Sequence, residues 1–236
     1  MNLFPRSHGP ITGRASNIVQ SFMTQVYGWM TCGLLLTAFV AWYATSTPAI
    51  LQLILSNQII FFGLIIVQLA LVFFMSSIVN QLSGTVATSL FMLYSALTGL
   101  MLSSIFVLYT AASITSTFIV TSGMFGAMTI YGYTTQRDLS SISNILFMAL
   151  IGMILASLVN LYLKSTAFMW VITYIGVVVF VALTAYDTQK LKNMGAQLSL
   201  DNENQFRQHA IIGALSLYLD FINLFLTLLR IFGNRR

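Results

Sequence analysis

From Ala210 to Leu229 the chain runs for 20 residues without a basic side chain, and one carboxylate, Asp220, stands near the midpoint. A helix of about twenty apolar residues is what crosses the hydrocarbon of a bilayer. An acid at that depth costs about 2.5–3.5 kcal/mol on insertion scales, so Asp220 must face protein or water rather than lipid. Its neighbours agree. Gly213, Ser216, Asp220, Asn223 and Thr227 recur at spacings of three and four and fall on one helical stripe, with Leu, Ile and Phe on the other faces. A helix in lipid turns a polar stripe towards other helices, which places this stretch inside a bundle.

The rest of the chain repeats the apolar pattern. Only 6 % of the 236 residues are charged, against about 25 % in soluble domains, so the expected class is all-α: a polytopic membrane protein. Residues 1–24 read as a short polar tail, with no apolar core that would mark a cleavable signal peptide. Residues 25–236 then form a single domain with seven spans, at 26–44, 59–75, 86–109, 117–133, 145–163, 168–189 and 210–232. Residues 49–55 are apolar but too short to cross and read as an interfacial turn. Trp29, Trp42 and Tyr43 suit the two interfaces of the first span.

Small residues mark expected helix contacts: Ser95, Gly99 and Ser103 in the third span, Gly123 with Ala127 and Ser122 with Gly126 in the fourth, Gly152 with Ala156 and Asn160 in the fifth. Asp138 and Ser140 are suited to cap the fifth helix. With the N-terminus cytoplasmic, Arg6, Arg14, Arg137, Lys190, Lys192 and Arg207 lie inside and Lys164, Arg230, Arg235 and Arg236 outside. The positive-inside rule favours that orientation by a small margin. The net charge of +5 therefore reads as topology and contact with lipid headgroups, not nucleic-acid binding.

No HExxH, Walker-type loop, GxSxG or His/Cys cluster occurs, so neither an enzyme nor a bound cofactor is expected. Cys32 is alone and cannot form an intramolecular disulfide. His209, at the head of the last helix, reads as an interfacial histidine with pH sensing as the sharper alternative. The second acid of interest is Asp187, near the end of the sixth span on a face with Thr173, Gly176, Phe180 and Thr184. Its bland reading is an ion pair with Lys190 or Lys192; that of Asp220 is a protonated structural acid bonded to a polar neighbour.

The segments ALTAYDTQKL, ALSLYLDFINLFLTLLRIFG and TTQRDLSSISNILFMALIGMILASLVN resemble the transmembrane Bax inhibitor motif family in its bacterial branch, and the likeness covers the chain beyond the N-terminal tail. The resemblance implies seven transmembrane helices with the last surrounded by the other six, in the bacterial inner membrane. It implies that Asp187 and Asp220 act as a pH sensor beside a calcium-permeable path. It also implies two kinds of partner role: suppression of cell death in eukaryotic relatives, and binding of a membrane-anchored AAA protease in a bacterial branch. Some relatives carry a basic residue in an early helix near the aspartates, whereas here no Lys or Arg occurs between Arg14 and Arg137. Neutral groups such as Ser216, Asn223 and Thr184 are then left to satisfy the carboxylates.

Two carboxylates within hydrogen-bonding range in a poorly hydrated site share one proton and titrate as a pair. When the proton leaves, calcium, which takes oxygen ligands, suits the gap as a transient visitor to Asp187 and Asp220. The leading expectation is a pH-sensitive calcium leak whose partners are lipids, protons and calcium. The alternatives are a non-conducting regulator of the AAA protease and a proton-coupled exporter of a small solute. One geometric tension stands: Asp220 is deep in its span, whereas Asp187 lies near the end of its own.

Overall fold

Each long apolar stretch folds as a helix, because in lipid every backbone N–H and C=O must be satisfied within its own segment. The computed structural model describes residues 9–78, 82–198 and 202–235. Arg6 and His8 of the expected tail, Asn80 of the second loop, Asp201 and Arg236 lie outside those residues. Among the described residues there are eight α-helices and no strand: α1 (Gly9–Ser46), α2 (Pro48–Ser56), α3 (Gln58–Ser77), α4 (Gly84–Leu108), α5 (Ala111–Thr134), α6 (Ser143–Leu163), α7 (Thr166–Gly195) and α8 (Glu203–Phe232). All but α2 are long and apolar enough to cross a membrane, giving the seven spans expected.

The ends differ from expectation, and for one physical reason: hydropathy marks where a helix is in lipid, not where it stops. The polar segment from Gly9 to residue 24 is not a separate tail but the first turns of α1. Phe22 and Met23 are buried there and join the core. α7 continues beyond 189 to Gly195, because Leu191 is buried against Gly213 of α8. α8 begins at Glu203 rather than 210: Asn202 caps it by accepting from the Gln205 amide, and Phe206 packs edge-on against Phe22. Residues 49–55, expected as a turn, lie within the short helix α2, started by Pro48 in its first turn. Asp138 caps the 3-10 turn Leu139–Ile142 that precedes α6, while Ser140 sits inside that turn and does not cap α6.

The last span is central. In its most apolar window 61 % of α8 is buried, against 6 % for α3 and 6 % for α6. α8 packs on α1, α4, α5 and α7, while α3 leans chiefly on α4 and α6 chiefly on α7. The most extensive contact joins α1 to α4. Ser95, Gly99 and Ser103 are all buried in α4, and a Cβ on Gly99 would lie 2.6 Å from the Thr37 carbonyl oxygen and 2.8 Å from Val40 Cβ of α1. That stripe is a helix contact, as its spacing predicts. The stripe expected on α5 is not: Gly123 and Gly126 have nothing within 4 Å, nor does Gly152 of α6. α5 instead buries Ser113, Thr117, Thr121, Phe125 and Gly132. Gly132 presses its backbone onto the carbonyl of Ala185 in α7, two residues before Asp187.

Both ends of the bundle are tied. At one end Asn204 accepts from the Gly84 amide at 2.6 Å, Arg207 donates to the Thr88 hydroxyl at 3.1 Å, and its guanidinium stacks 5.3 Å over the Trp29 ring. At the other, the chain beyond α8 folds onto the α4–α5 turn: the Thr110 amide donates to the Asn234 carbonyl at 3.1 Å and the Asn234 amide to the Ser113 hydroxyl at 3.0 Å.

Candidate functional site

α7 and α8 run antiparallel, and their pairing sets the site. Leu191 meets Gly213 and Gly176 meets Thr227. Between those two contacts Asp187 comes up to Asp220, with the carboxyl groups within hydrogen-bonding range. The extra turns of α7 beyond residue 189 and of α8 before residue 210 remove the tension in depth. Asp187 is then no longer a helix-end residue; about two further turns of helix follow it.

The polar surroundings of the pair are sparse. Asp220 is 6 % exposed, and its Oδ2 is buried with no protein hydrogen-bond partner. Thr184 is fully buried, but its hydroxyl donates to the Phe180 carbonyl of its own helix at 2.8 Å; Thr188 does the same to Thr184 at 2.7 Å. Ser216 is partly buried on the stripe, and Asn223 opens into a separate groove one turn beyond Asp220. None of the three neutral groups expected to satisfy the carboxylates is bonded to them among the described residues. A buried acceptor without a donor is costly, so each orphan of this kind calls for an explanation in protonation, water or a cation.

One cation acts on the pair. Lys190, one turn along α7, lies close enough for its charge to be felt at Asp187. Its ammonium lies 6.0 Å from the centre of the Tyr186 ring. Lys192 is occupied elsewhere, donating to the Tyr133 carbonyl at 2.7 Å. Beyond Lys190 a polar recess of about 280 Å³, bordered by Tyr186, Gln189 and Asn193, opens where the loop before α6 lies on α7. Gln189 clips that loop in place, accepting from the Leu139 amide at 2.8 Å and donating to the Arg137 carbonyl at 2.7 Å. Outside the membrane spans, the Ser140 hydroxyl and amide hold the Asp138 carboxyl below the usual carboxylate range.

A second polar centre went unread in the sequence. Tyr218 of α8 is fully buried on the side away from Asp220, its hydroxyl 2.6 Å from that of Thr37, which donates to the Ser95 carbonyl at 2.8 Å. Phe91 and Tyr94 pack edge-on against its ring at 5.7 and 5.9 Å. The available signal was Thr37 itself, a hydroxyl in the middle of an apolar span. Gln68, the one strongly polar residue inside the second span, donates to Thr98 at 3.1 Å and so joins α3 to α4. His209 bonds only to the Gln205 carbonyl of its own helix among the described residues, at 2.8 Å. No third His, Cys, Asp or Glu joins the aspartate pair to form a metal-binding cluster among the described residues.

Compared with known proteins, residues 19–236 match the family described as inhibitor of apoptosis-promoting Bax1. The inner membrane protein YbhL of Escherichia coli is 65 % identical over 236 residues, the whole of both chains. An uncharacterized protein of Borreliella burgdorferi is 46 % identical over 219 residues, covering 93 % of this chain and 94 % of its own. One from Deinococcus radiodurans is 42 % identical over 218 residues, covering 92 % of each.

Proposed function

On the footing that the chain belongs to the Bax inhibitor-like family of inner-membrane proteins, we propose that it is a pH-sensitive calcium leak gated by the Asp187–Asp220 pair. One observation carries the reading: two carboxyl groups meet between α7 and the central helix α8, and an oxygen of the deeper one has no protein donor. Two anions side by side, Asp220 buried and Asp187 half-buried, repel strongly, so the pair holds one proton between them. In that state a carboxyl–carboxylate hydrogen bond ties α7 to α8 and the path is closed. When the proton leaves, a divalent cation takes its place.

Calcium suits the exchange because it binds six to eight oxygens in loose geometry. The pair offers at most four, and water brought by the ion supplies the rest. Two carboxylates without a third acid hold such an ion briefly, which suits passage better than storage. Lys190 sharpens this: a cation approaching Asp187 meets its charge, so occupancy stays short. No catalytic role is assigned to any residue.

The test is calcium entry into liposomes at a series of pH values on either side of neutrality, with coupled titration of the pair read from the profile. Wild type, Asp187→Asn, Asp220→Asn and the double variant are compared, with folding checked for each. The gate predicts flux in wild type whose pH dependence is absent from all three variants. Flux no greater than in empty liposomes at every pH would end the leak reading and leave the non-conducting regulator of a membrane-anchored AAA protease, for which the readout is co-purification.

A further inference from the structure

The groove that Asn223 opens into has a volume of about 670 Å³ and lies between α3 and α6, the two least buried spans. That volume falls within the size of ordinary ligand sites, about 300–1,000 Å³. Its mouth is formed by Leu69 and Phe73 of α3 and Leu158 and Leu161 of α6, all of them exposed on the outer surface of the bundle. The groove therefore opens sideways into hydrocarbon rather than towards water. Its floor is not uniformly apolar. Asn223, Thr227 and Arg230 of α8 line it, and the Arg230 guanidinium reaches across to the Thr173 hydroxyl of α7 at 3.3 Å.

Arg230 lies two residues from the end of α8, ten residues and about 15 Å along the helix from Asp220, so it sits towards the interface. A guanidinium has five donors in a planar fork suited to phosphate. Among the described residues it has no carboxylate partner and bonds to a neutral hydroxyl, that of Thr173. A groove with a cation at its interfacial end and Leu and Phe along its open side matches a molecule with an anionic head and an acyl chain. A free anion would engage the exposed Arg230 alone and leave the apolar walls of the groove unfilled.

We infer that this groove binds one anionic phospholipid sideways from the membrane, its phosphate on Arg230 and one acyl chain between α3 and α6. The site is independent of the aspartate pair. The headgroup contact gives selectivity and the chain gives affinity, so the two separate in a competition. Purified full-length protein is incubated with an equimolar mixture of phosphatidylglycerol and phosphatidylcholine bearing identical acyl chains, and retained lipid is counted by native mass spectrometry. One basic contact near the interface corresponds to roughly fivefold enrichment of phosphatidylglycerol in wild type.

Arg230→Gln is expected to bring that ratio to about one while still retaining lipid, and Arg230→Lys to keep a smaller preference because the point charge lacks the fork. Leu158→Trp, which fills the mouth from its exposed side, is expected to lower retention of both lipids. Inorganic phosphate added in excess is expected to displace neither. Equal retention of the two lipids by wild type overturns the proposal, as does an unchanged preference in folded Arg230→Gln. Displacement by inorganic phosphate overturns it in favour of a plain anion site.

Discussion

Two buried polar centres sit on opposite sides of the same helix, and only one is complete. Around Tyr218 every polar atom is spoken for: its hydroxyl meets Thr37, Thr37 meets the Ser95 carbonyl, and Ser95 returns its own hydroxyl to the Phe91 carbonyl at 2.9 Å. Around Asp220 an oxygen is left over, and the hydroxyls of Thr184 and Thr188 on α7 are turned to their own backbone. A closed network rigidifies and specifies a packing, whereas a half-satisfied one persists only where something else repays it. The Tyr218 side holds α1, α4 and α8 together. The aspartate side leaves two carboxyl groups facing each other between α7 and α8, the contact on which the proposed gate acts.

The contrast breaks most sharply at Tyr218. Tyr218→Ala removes a fully buried ring from between Phe91 and Tyr94 and strands the Thr37 hydroxyl, a loss of about 3–5 kcal/mol by analogy with other large aromatic truncations. Thermal melting in detergent is expected to show a large drop at every pH. Asp220→Asn should lower the melting temperature far less, because it replaces a strained pair with a neutral amide that donates to Asp187. If the two variants were equally destabilised, Asp220 would be a structural group like Tyr218 and the contrast would collapse.

A smaller effect is expected at Gly132, where α5 presses on α7 just before the aspartate. Gly132→Ala places a methyl group against the Ala185 carbonyl, with the Ala185 carbonyl carbon and Cα 2.9 Å away. Backbone cannot rotate aside as a side chain can, so α5 and α7 must part, at about 1–3 kcal/mol. Because Ala185 precedes Asp187 by two residues, the strain should appear in the pH profile of flux as well as in melting. The matching substitution at Gly123, where nothing lies within 4 Å, should change neither.

How much of this was legible depended on what each residue costs in a membrane. Asp220 announced itself because a carboxylate in lipid has few explanations, and the central place of α8 followed from the stripe around it. The Ser95, Gly99 and Ser103 spacing marked a true contact, but the same kind of spacing at Gly123 and Gly126 did not. Small residues permit close approach without requiring it, and only Gly132, which carries no repeat, is pressed against a neighbour on α5. Thr184 and Asn223 shared the face of the aspartates and yet turn elsewhere: the Thr184 hydroxyl bonds to the carbonyl four residues back, and Asn223 opens into the groove between α3 and α6. The extensions of α1, α7 and α8 were invisible because they are polar and amphipathic, outside the reach of any hydropathy signal.

Next in size is the clip at Gln189. Its amide bonds in both directions to the loop before α6, and Gln189→Ala leaves the Leu139 amide and the Arg137 carbonyl without their partners. Each such loss is about 1–2 kcal/mol where the groups stay dry, less once water enters. Hydrogen exchange at Leu139 should speed up severalfold while α8 amides near Tyr218 keep their protection. Uniform acceleration across both would show that the bundle has no separately stable side.

The smallest expected effect concerns the acid that lies outside the membrane. Asp138 is fully exposed and caps the turn before α6, with the Ser140 amide donating to its Oδ1 at 2.9 Å. The Ser140 hydroxyl and amide favour its charged form, so its folded pKa is lowered relative to the unfolded chain. Stability from such a group is present above the unfolded value and lost as pH falls through the folded one. The window therefore lies below about pH 3.9, the ordinary aspartate value. Hydrogen exchange of the Ser140 amide should be flat from neutral pH down to that range once corrected for its intrinsic pH dependence, and then lose protection. Asp138→Asn keeps a cap, since an asparagine oxygen also accepts, and should abolish only the acid step. An isolated, solvated carboxylate can thus account for acid loosening of a loop but for nothing near neutrality. A pH response of the protein between about pH 6 and pH 8 therefore has two sources to separate, the carboxyl pair and His209, and His209→Gln alongside Asp220→Asn distinguishes them.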